Sequence, residues 1–409
     1  MKPVSVVEGE GWKEEVLTAG QAEALQRCGL VEIRRGSAEG QWQVRGRQPF
    51  GWAGAARVGD GPDSVDVRLR PKVPIARLLF LVGYTRKQID QLDWRDDEID
   101  TGEADGVLPA VAHAFARAAD RALGQGMLLS YRETEETGAV VRGRIREADQ
   151  VRRRYSLLLP VETRFDDYTA DIPENQLLLT AAGQLLKLPL LERDALVASS
   201  SLLRKLMFRL ARVTPLAPGR PPPRWKPSRL NARYHTALGL AEVVLRGSSY
   251  ELDDGRTLRA DGLIVLMWKL FEDFVTGAIA DALRAHGGWC EFQDEGHRLD
   301  VGSLFKLKPD LVYYRADADG RKAPFAVIDA KYKASGPGRE DMYQLVAYCT
   351  ALGLRYGYLI SPGSRAAQRS HQITRSSITI IEHTVDLSEP PDAIRRQIRE
   401  LAADISRRG

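Results

Sequence analysis

Two carboxylates and an amine carry the chemistry that can be read from this chain. Lys308-Pro309-Asp310-Leu311-Val312 opens one apolar run, and Ala326-Val327-Ile328-Asp329-Ala330-Lys331 closes the next. Between them lies Asp319-Gly320, a dipeptide favoured in two-residue hairpin turns, where both positions take positive φ. Folding the chain there pairs positions whose numbers sum to 639, which sets Asp310 opposite Asp329. Directly opposed residues share a face, with Cβ atoms roughly 4.5–5.5 Å apart. Lys331, two residues on, joins that face. Opposed like charges destabilise a sheet, so the arrangement makes physical sense when a cation sits between the carboxylates. Mg2+ takes oxygen ligands, keeps several waters and binds through one or two carboxylates plus substrate phosphate; Mn2+ suits the same ligands. Such a centre suits metal-dependent cleavage of a phosphodiester. Lys331 would orient or help deprotonate the attacking water and stabilise charge on the phosphate.

Asp-x-Lys is a short pattern, and Pro-Asp recurs at Pro62-Asp63 and Pro391-Asp392. Only the copy at Asp310 is followed by a second apolar strand ending in Asp-x-Lys. An edge ion pair on a half-buried hairpin accounts for the same residues without chemistry. A wider loop between Arg315 and Ala323 would slip the register and turn one carboxylate to the other face.

The elements around this hairpin are predicted from periodicity and caps. Thr18-x-x-Gln21 is a capping box opening a helix to Cys28. Val31-Glu32-Ile33, Gln41-Trp42-Gln43-Val44 and the alternating Val65–Leu69 read as strands, punctuated by glycines, of a small mixed or barrel-like domain. Leu108–Leu123 reads as a helix ended by Gly124 and Gly126, and Val140–Ile145 as a strand. Further helices are predicted over 172–186, 191–211 and 234–245, with the proline-broken segment 215–227 as a connector. A helix over 264–285, with Met267, Leu270, Phe271, Phe274, Val275, Ala278 and Ile279 on one face, leads into the hairpin. A helix over 339–352 and strands at 357–360 and 377–382 follow.

The fold class is therefore α/β and multi-domain. An N-terminal β-rich α+β domain spans 1–160, a helical, basic connecting region 161–250, and a C-terminal α/β core with a mixed sheet 251–409. At 409 residues the chain is too long for one ordinary domain. Hydrophobic content of 44% with 28% charged residues describes a soluble globular protein. No apolar run approaches the roughly 20 residues needed to span a bilayer. The start lacks the apolar core of a secretory signal, so the cytoplasm is expected. Cys28, Cys290 and Cys349 are far apart and odd in number, which suits a reducing compartment and excludes a Cys-x-x-Cys zinc or iron–sulfur site. The net charge of +4 is unevenly distributed: Arg204 to Arg233 carries only cations, Arg224, Lys226, Arg229 and Arg233 among them. Such a run can track phosphates, and a solvated connector explains it equally well.

With the helix over 264–285, Pro309-Asp310, Asp329-x-Lys331 and the following helix carrying Tyr343-Gln344, the C-terminal part resembles the PD-(D/E)xK nuclease superfamily. Leu69-Arg70-Pro71-Lys72-Val73, Val141–Ile145, Asp171–Asn175 and Lys269–Val275 resemble successive blocks of the McrC family, endonuclease subunits of McrBC modification-dependent restriction systems. The likeness runs from about residue 65 onward, and the first 60 residues match loosely.

The resemblance implies Asp310 and Asp329 as metal ligands and Lys331 as the catalytic lysine. It makes Glu272 a further ligand or a holder of metal-bound water, although a surface acid beside an apolar face explains Glu272 as well. Gln344 would position the metal or the scissile strand, with a solvated helix glutamine the simpler account. Tyr343 is expected in the core. The family further implies a McrB-like AAA+ GTPase hexamer as partner and double-stranded DNA with modified cytosine as substrate, in antiviral defence. The chain has no Gly-x4-Gly-Lys-Ser/Thr loop, so the motor is expected on the partner. The N-terminal domain would dock on that ring and stimulate it, with the segment between about Trp42 and Val65 as the inserted finger. A non-catalytic adaptor and a stand-alone RecB-like nuclease are the alternatives.

Overall fold

The computed structural model describes residues 3–38, 40–47, 51–71, 73, 77, 81, 107–155, 157–188, 197–217, 222–247, 249–251, 257–259, 261–333, 336–363 and 367–408. The chain divides into two compact units, one of residues 1–114 with 246–409 and one of 115–245. These differ from the boundaries at 160 and 250 drawn from the sequence. The reason is a strand pairing between residues some two hundred positions apart, which no local pattern announces.

The N-terminal part runs β1 (Val4–Val7), β2 (Lys13–Val16), α1 (Ala19–Cys28), β3 (Val31–Arg35), β4 (Gln41–Gly46), β5 (Trp52–Val58) and β6 (Val65–Arg70). α1 starts at the predicted capping box: Gln21 N donates to Thr18 Oγ1 and Thr18 N to Gln21 Oε1, each at 3.1 Å. Gly29, at φ +69°, ends it in the left-handed region that favours glycine. β2, β4 and β3 form an antiparallel sheet, while β6 lies between β1, parallel, and β5, antiparallel. Leu25, Leu30, Val44, Ala56, Val65 and Val67 fill the core between them. Much of the segment expected to project as a finger is thus strand, and Ala53, Ala55 and Ala56 of β5 are buried. Residues 48–50 of that segment lie outside the described residues.

α2 (Val107–Gly124) crosses the division between the units. The second unit continues with β7 (Ser130–Gly138), β8 (Arg144–Ile145), α3 (Glu147–Arg154), β9 (Val161–Thr169), α4 (Pro173–Leu186), α5 (Val197–Arg209) and α6 (His235–Arg246). β7 pairs with β9 along its whole length, and the strand predicted over Val140–Ile145 is reduced to β8. β7 is mostly exposed and rich in charge, with Glu135 paired to Arg164 at 2.8 Å, so it lacks the apolar alternation that marks a strand. α4 begins as predicted, with Pro173 at its first position. The first residues of the helix predicted from 191 lie outside the described residues.

The C-terminal part runs β10 (Ser249–Glu251), β11 (Thr257–Arg259), β12 (Asp261–Leu266), α7 (Met267–Arg284), β13 (Trp289–Phe292), β14 (Leu311–Ala316), β15 (Lys322–Ala330), α8 (Arg339–Leu352), β16 (Tyr356–Gly363), β17 (Ala367–Gln372), β18 (Thr379–Asp386) and α9 (Pro391–Arg408). The helix predicted from Ile264 begins at Met267, because Ile264, Val265 and Leu266 pair with β5 instead. This pairing joins the two ends of the chain in one unit. A six-stranded mixed sheet follows, in the order β13-β14-β15-β16-β18-β17. α8 buries Leu345, Cys349 and Leu352 against Val312, Val327, Leu359 and Ile380. The alternate positions Leu311, Ile328, Tyr358 and Ile381 are equally buried, and α7 packs against α9. Helices therefore cover both faces of the sheet, the α/β arrangement expected from the sequence. No helix among the described residues is long and apolar enough to cross a membrane.

Candidate active site

The site lies where β14 begins and β15 ends. The turn joining them is wider than a two-residue hairpin: Asp317 N donates to Arg321 O at 2.8 Å, and of Asp319 and Gly320 only the glycine has positive φ. Asp317 Oδ1 accepts from the amides of Asp319 and Arg321, at 2.9 and 2.8 Å, and stabilises the loop. Near the turn the register is slipped by one, with Arg315 opposite Ala323. An irregularity at Tyr313/Tyr314 adds one residue to β15 and corrects it, so Val312 faces Val327 and Leu311 faces Ile328. One position further, the ladder brings Asp310 against the Asp329 segment in the expected register.

The contacts there are close. Ala330 N donates to Asp310 Oδ2 at 2.8 Å. Lys331 Nζ lies 2.9 Å from Asp329 Oδ2, and Lys331 N continues the parallel ladder by donating to Ile360 O at 2.8 Å. Asp329 is 1% exposed, yet among the described residues neither of its carboxylate oxygens accepts a well-formed hydrogen bond. A buried carboxylate in that condition is costly unless something else compensates its charge. Burial, reinforced by the charges of Asp329 and Glu272, pushes Asp310 up to about 7. Burial likewise raises Asp329, against the opposing pull of Lys331. Lys331 is itself half-buried, which disfavours its charge, but Asp329 and Asp310 outweigh this and raise it above an ordinary lysine.

Glu272, on α7, is oriented by Lys269 Nζ at 3.0 Å and Gln293 Nε2 at 3.1 Å, and its charge acts on Asp310. Gln344 is exposed and donates to Tyr348 OH at 2.7 Å, while that hydroxyl donates to Lys308 O at 3.1 Å. Gln344 thus reaches the Lys308-Pro309-Asp310 turn through Tyr348. Tyr343, expected in the core, is 71% exposed, because the buried stripe of α8 passes through Leu345, Tyr348, Cys349 and Leu352.

Three supporting residues escape the sequence reading. Tyr348 sits four residues after Gln344, a helical spacing that could have flagged it. Tyr332 OH donates to the buried Glu8 at 2.8 Å across 324 positions, for which no local signal exists. Asp341 accepts from Lys333 Nζ at 2.6 Å and from Gly338 N at 2.7 Å, fixing the first turn of α8.

The basic residues belong to the second unit. Arg224, Lys226 and Arg229 are exposed on an irregular segment that Trp225 anchors by donating from Nε1 to Glu242 Oε1 at 2.7 Å. Arg233 is turned inward, its guanidinium donating to Gln125 O at 3.3 Å and Gly126 O at 2.9 Å.

The donor set fits a hard divalent cation. Two converging carboxylates, one of them 1% exposed and facing Lys331 and its partner carboxylate, match the share of ligands that a protein supplies to Mg2+. Among the described residues no group of three or more His, Cys, Asp or Glu is arranged to hold a metal. The charge of Glu272 acts on Asp310, and positions that the protein does not fill would fall to water and phosphate.

No curated protein sequence matches the chain. Among solved structures, a half-complex from a tetradecameric assembly of Thermococcus gammatolerans McrB AAA+ hexamers with bound McrC matches with a TM-score of 0.57 at 17% identity. That match covers 99% of this chain and 100% of the other, and shows a shared fold. The cryo-EM structure of the Thermococcus gammatolerans McrBC complex matches with a TM-score of 0.41 at 16% identity, over 69% and 88% of the two chains. The family described as McrBC 5-methylcytosine restriction system component matches residues 51–362, well over half the chain. The protein belongs to this McrBC component family.

Proposed function

We propose that this chain is the DNA endonuclease subunit of a McrBC-type restriction system. It cleaves double-stranded DNA bearing modified cytosine, with Mg2+ or Mn2+ at Asp310 and Asp329, when recruited by a McrB-like AAA+ GTPase hexamer whose hydrolysis it stimulates. Its DNA substrate places its work in the cytoplasm. The observation that carries the reading is the convergence of Asp310, Asp329 and Lys331 on adjoining strand ends, with the buried Asp329 carboxylate facing Lys331 and Asp310. The family supports the restriction role. The fold shared with a McrC bound to McrB hexamers supports the partner, as does the lack of a phosphate-cradling loop in this sequence.

Asp310 and Asp329 would hold the cation, and the Ala330 amide fixes the Asp310 carboxylate through Oδ2. The bound ion would polarise the scissile phosphate and lower the pKa of a coordinated water. Lys331, 2.9 Å from Asp329 Oδ2, orients water and stabilises charge building on the phosphate. Glu272, held by Lys269 and Gln293, can accept a hydrogen bond from water at the edge of the site.

The test is reconstitution with the ring partner, GTP, Mg2+ and methylated duplex. Asp329→Ala and Lys331→Ala should each lower cleavage at least about a hundredfold, with ring binding and GTPase stimulation kept. Undiminished cleavage by both variants rejects the site. A wild-type complex that hydrolyses GTP but never cuts identifies a non-catalytic adaptor instead.

A further inference from the structure

A small hairpin projects from the chain just before Asp310. Arg298 and Lys306 form an antiparallel bridge, Leu299 N donates to Phe305 O at 3.0 Å, and Ser303 N to Asp300 O at 3.0 Å. The Asp300 carboxylate closes the turn by accepting from Leu304 N at 3.2 Å and Phe305 N at 2.9 Å. These bonds also hold it below the usual carboxylate range. The base is fixed. Leu307 N donates to His297 O at 3.2 Å, Leu307 is buried with Val312 and Tyr314, and His297 Nε2 lies 2.7 Å from Tyr314 OH. Tyr314 OH in turn donates to Asp294.

The tip has the opposite character. Leu299, Val301, Leu304 and Phe305 are 45%, 106%, 81% and 64% exposed. Scattered exposed apolar residues are ordinary, but four large ones on one turn mark a contact surface. The carboxylate of Asp300 is engaged by the turn's own amides, so the tip presents mainly apolar side chains. Between tip and site stand the exposed Lys306 and Lys308, the latter 3.3 Å from the exposed Glu295 carboxylate, which a phosphate would replace.

We propose that this hairpin is a DNA wedge, an inference that rests on the nuclease reading above. Phe305, Leu304 and Val301 press against the base stack from the minor groove and open one base step, while Lys306 and Lys308 meet flanking phosphates. Leu and Phe are side chains that proteins insert between base steps, kinking the duplex. Phe305 lies five positions before Asp310, so the chain between them spans at most roughly 17 Å. At 3.4 Å per step along a strand, the opened step lies within about five base pairs of the scissile phosphate. The chain's continuity with Asp310 and the sign of the two lysines favour DNA over a protein partner. Opening a nearby step would lend the scissile phosphate a deformable backbone.

The experiment uses the full complex on duplexes carrying 2-aminopurine at successive positions beside the cut site. A Lys331→Ala background keeps the DNA intact. With the native tip, fluorescence should rise several-fold at one step within that window. In the triple variant Val301→Ser/Leu304→Ser/Phe305→Ser the rise should vanish. With Lys331 present, the triple variant should lose tenfold or more in kcat/KM, largely through KM, with ring binding and GTPase stimulation unchanged. A substrate with a two-nucleotide bulge at that step should restore most of the loss. Equal fluorescence and equal cleavage with and without the tip residues overturn the proposal. Loss of ring binding in the triple variant with unchanged fluorescence also overturns it and assigns the patch to a protein. If the wild type never cuts, the nuclease reading fails, while the fluorescence still decides the wedge.

Discussion

The amide of Ala330 donates to Asp310 Oδ2 at 2.8 Å, so the residue following Asp329 orients the opposing carboxylate. Burial and the neighbouring charge of Asp329 nevertheless push Asp310 up to about 7. An unfolded aspartate titrates near about 3.9, so between about pH 4 and 7 the native state holds more protons than the unfolded one. Stability contributed by the protonated group is therefore present at low pH and lost as pH rises through about 7. In the absence of divalent ions, Asp310→Asn should melt higher than wild type at pH 8, by roughly 2–4 °C per kcal/mol relieved. At pH 4 the two should melt alike. Thermal unfolding in a chelating buffer checks this, and the same difference at both pH values would refute it. Added Mg2+ should raise the melting temperature of wild type more than that of the variant, since the neutral amide oxygen is a weaker ligand than the carboxylate.

Tyr332, the residue after Lys331, donates to Glu8 just beyond β1 at 2.8 Å, and its ring packs on Phe271 at 5.7 Å. Tyr332→Phe keeps the ring and removes the hydroxyl. It should destabilise the unit by about 1–3 kcal/mol, the usual consequence of deleting one partner of a buried hydrogen bond. Because Lys331 is its neighbour, kcat should fall more than KM rises. Denaturant unfolding and steady-state cleavage measure the two effects, and a variant as stable as wild type would show that Glu8 does not need this donor.

How much of this was legible depended on the range of the signal. The Asp310/Asp329 register, read from the Asp319-Gly320 turn, is found because two departures from a two-residue hairpin cancel. The turn that seemed to set it was misread, since Asp317 captures two amides and widens the loop, and the extra residue in β15 restores the pairing. Helices α1 and α4 were readable from a capping box and a proline at the start. β7 and β9 were not, because a pair held by ion pairs across an exposed surface has no hydrophobic period. The role of β12 was hidden as well: Ile264-Val265-Leu266 fits a helix or a strand, and only β5 decides. Tyr343 looked like core by type, but its position on α8 faces outward.

Gly54 tests the joining of the two chain ends. It pairs with Ile264 at φ +137°, and a Cβ there would lie 1.9 Å from Leu263 O, a backbone atom that cannot step aside. Gly54→Ala combines backbone strain with this overlap, so a loss of about 3 kcal/mol or more is expected. Unfolding should show β5 and the C-terminal sheet losing hydrogen-exchange protection together. A variant with wild-type protection in β12 would mean the strand pairing is dispensable.

The four basic residues marked as DNA contacts should separate into two classes. Trp225 is anchored inward on Glu242, and along an extended segment alternate side chains point oppositely, so Arg224 and Lys226 face outward. Arg229 is exposed as well. Arg233 instead holds the carbonyls of Gln125 and Gly126. Replacing Arg224, Lys226 and Arg229 by alanine should weaken DNA binding and flatten the dependence of log affinity on log salt by about 2.7, near 0.9 for each lost phosphate contact. Stability should stay within about 0.5 kcal/mol of wild type. Arg233→Ala should do the reverse, costing about 1–3 kcal/mol while leaving the salt slope unchanged, because its donors already serve the protein's own backbone. Binding titrations at several salt concentrations, read beside unfolding curves, separate the classes. A salt slope that falls in Arg233→Ala and stays fixed in the triple variant would place the phosphate path elsewhere.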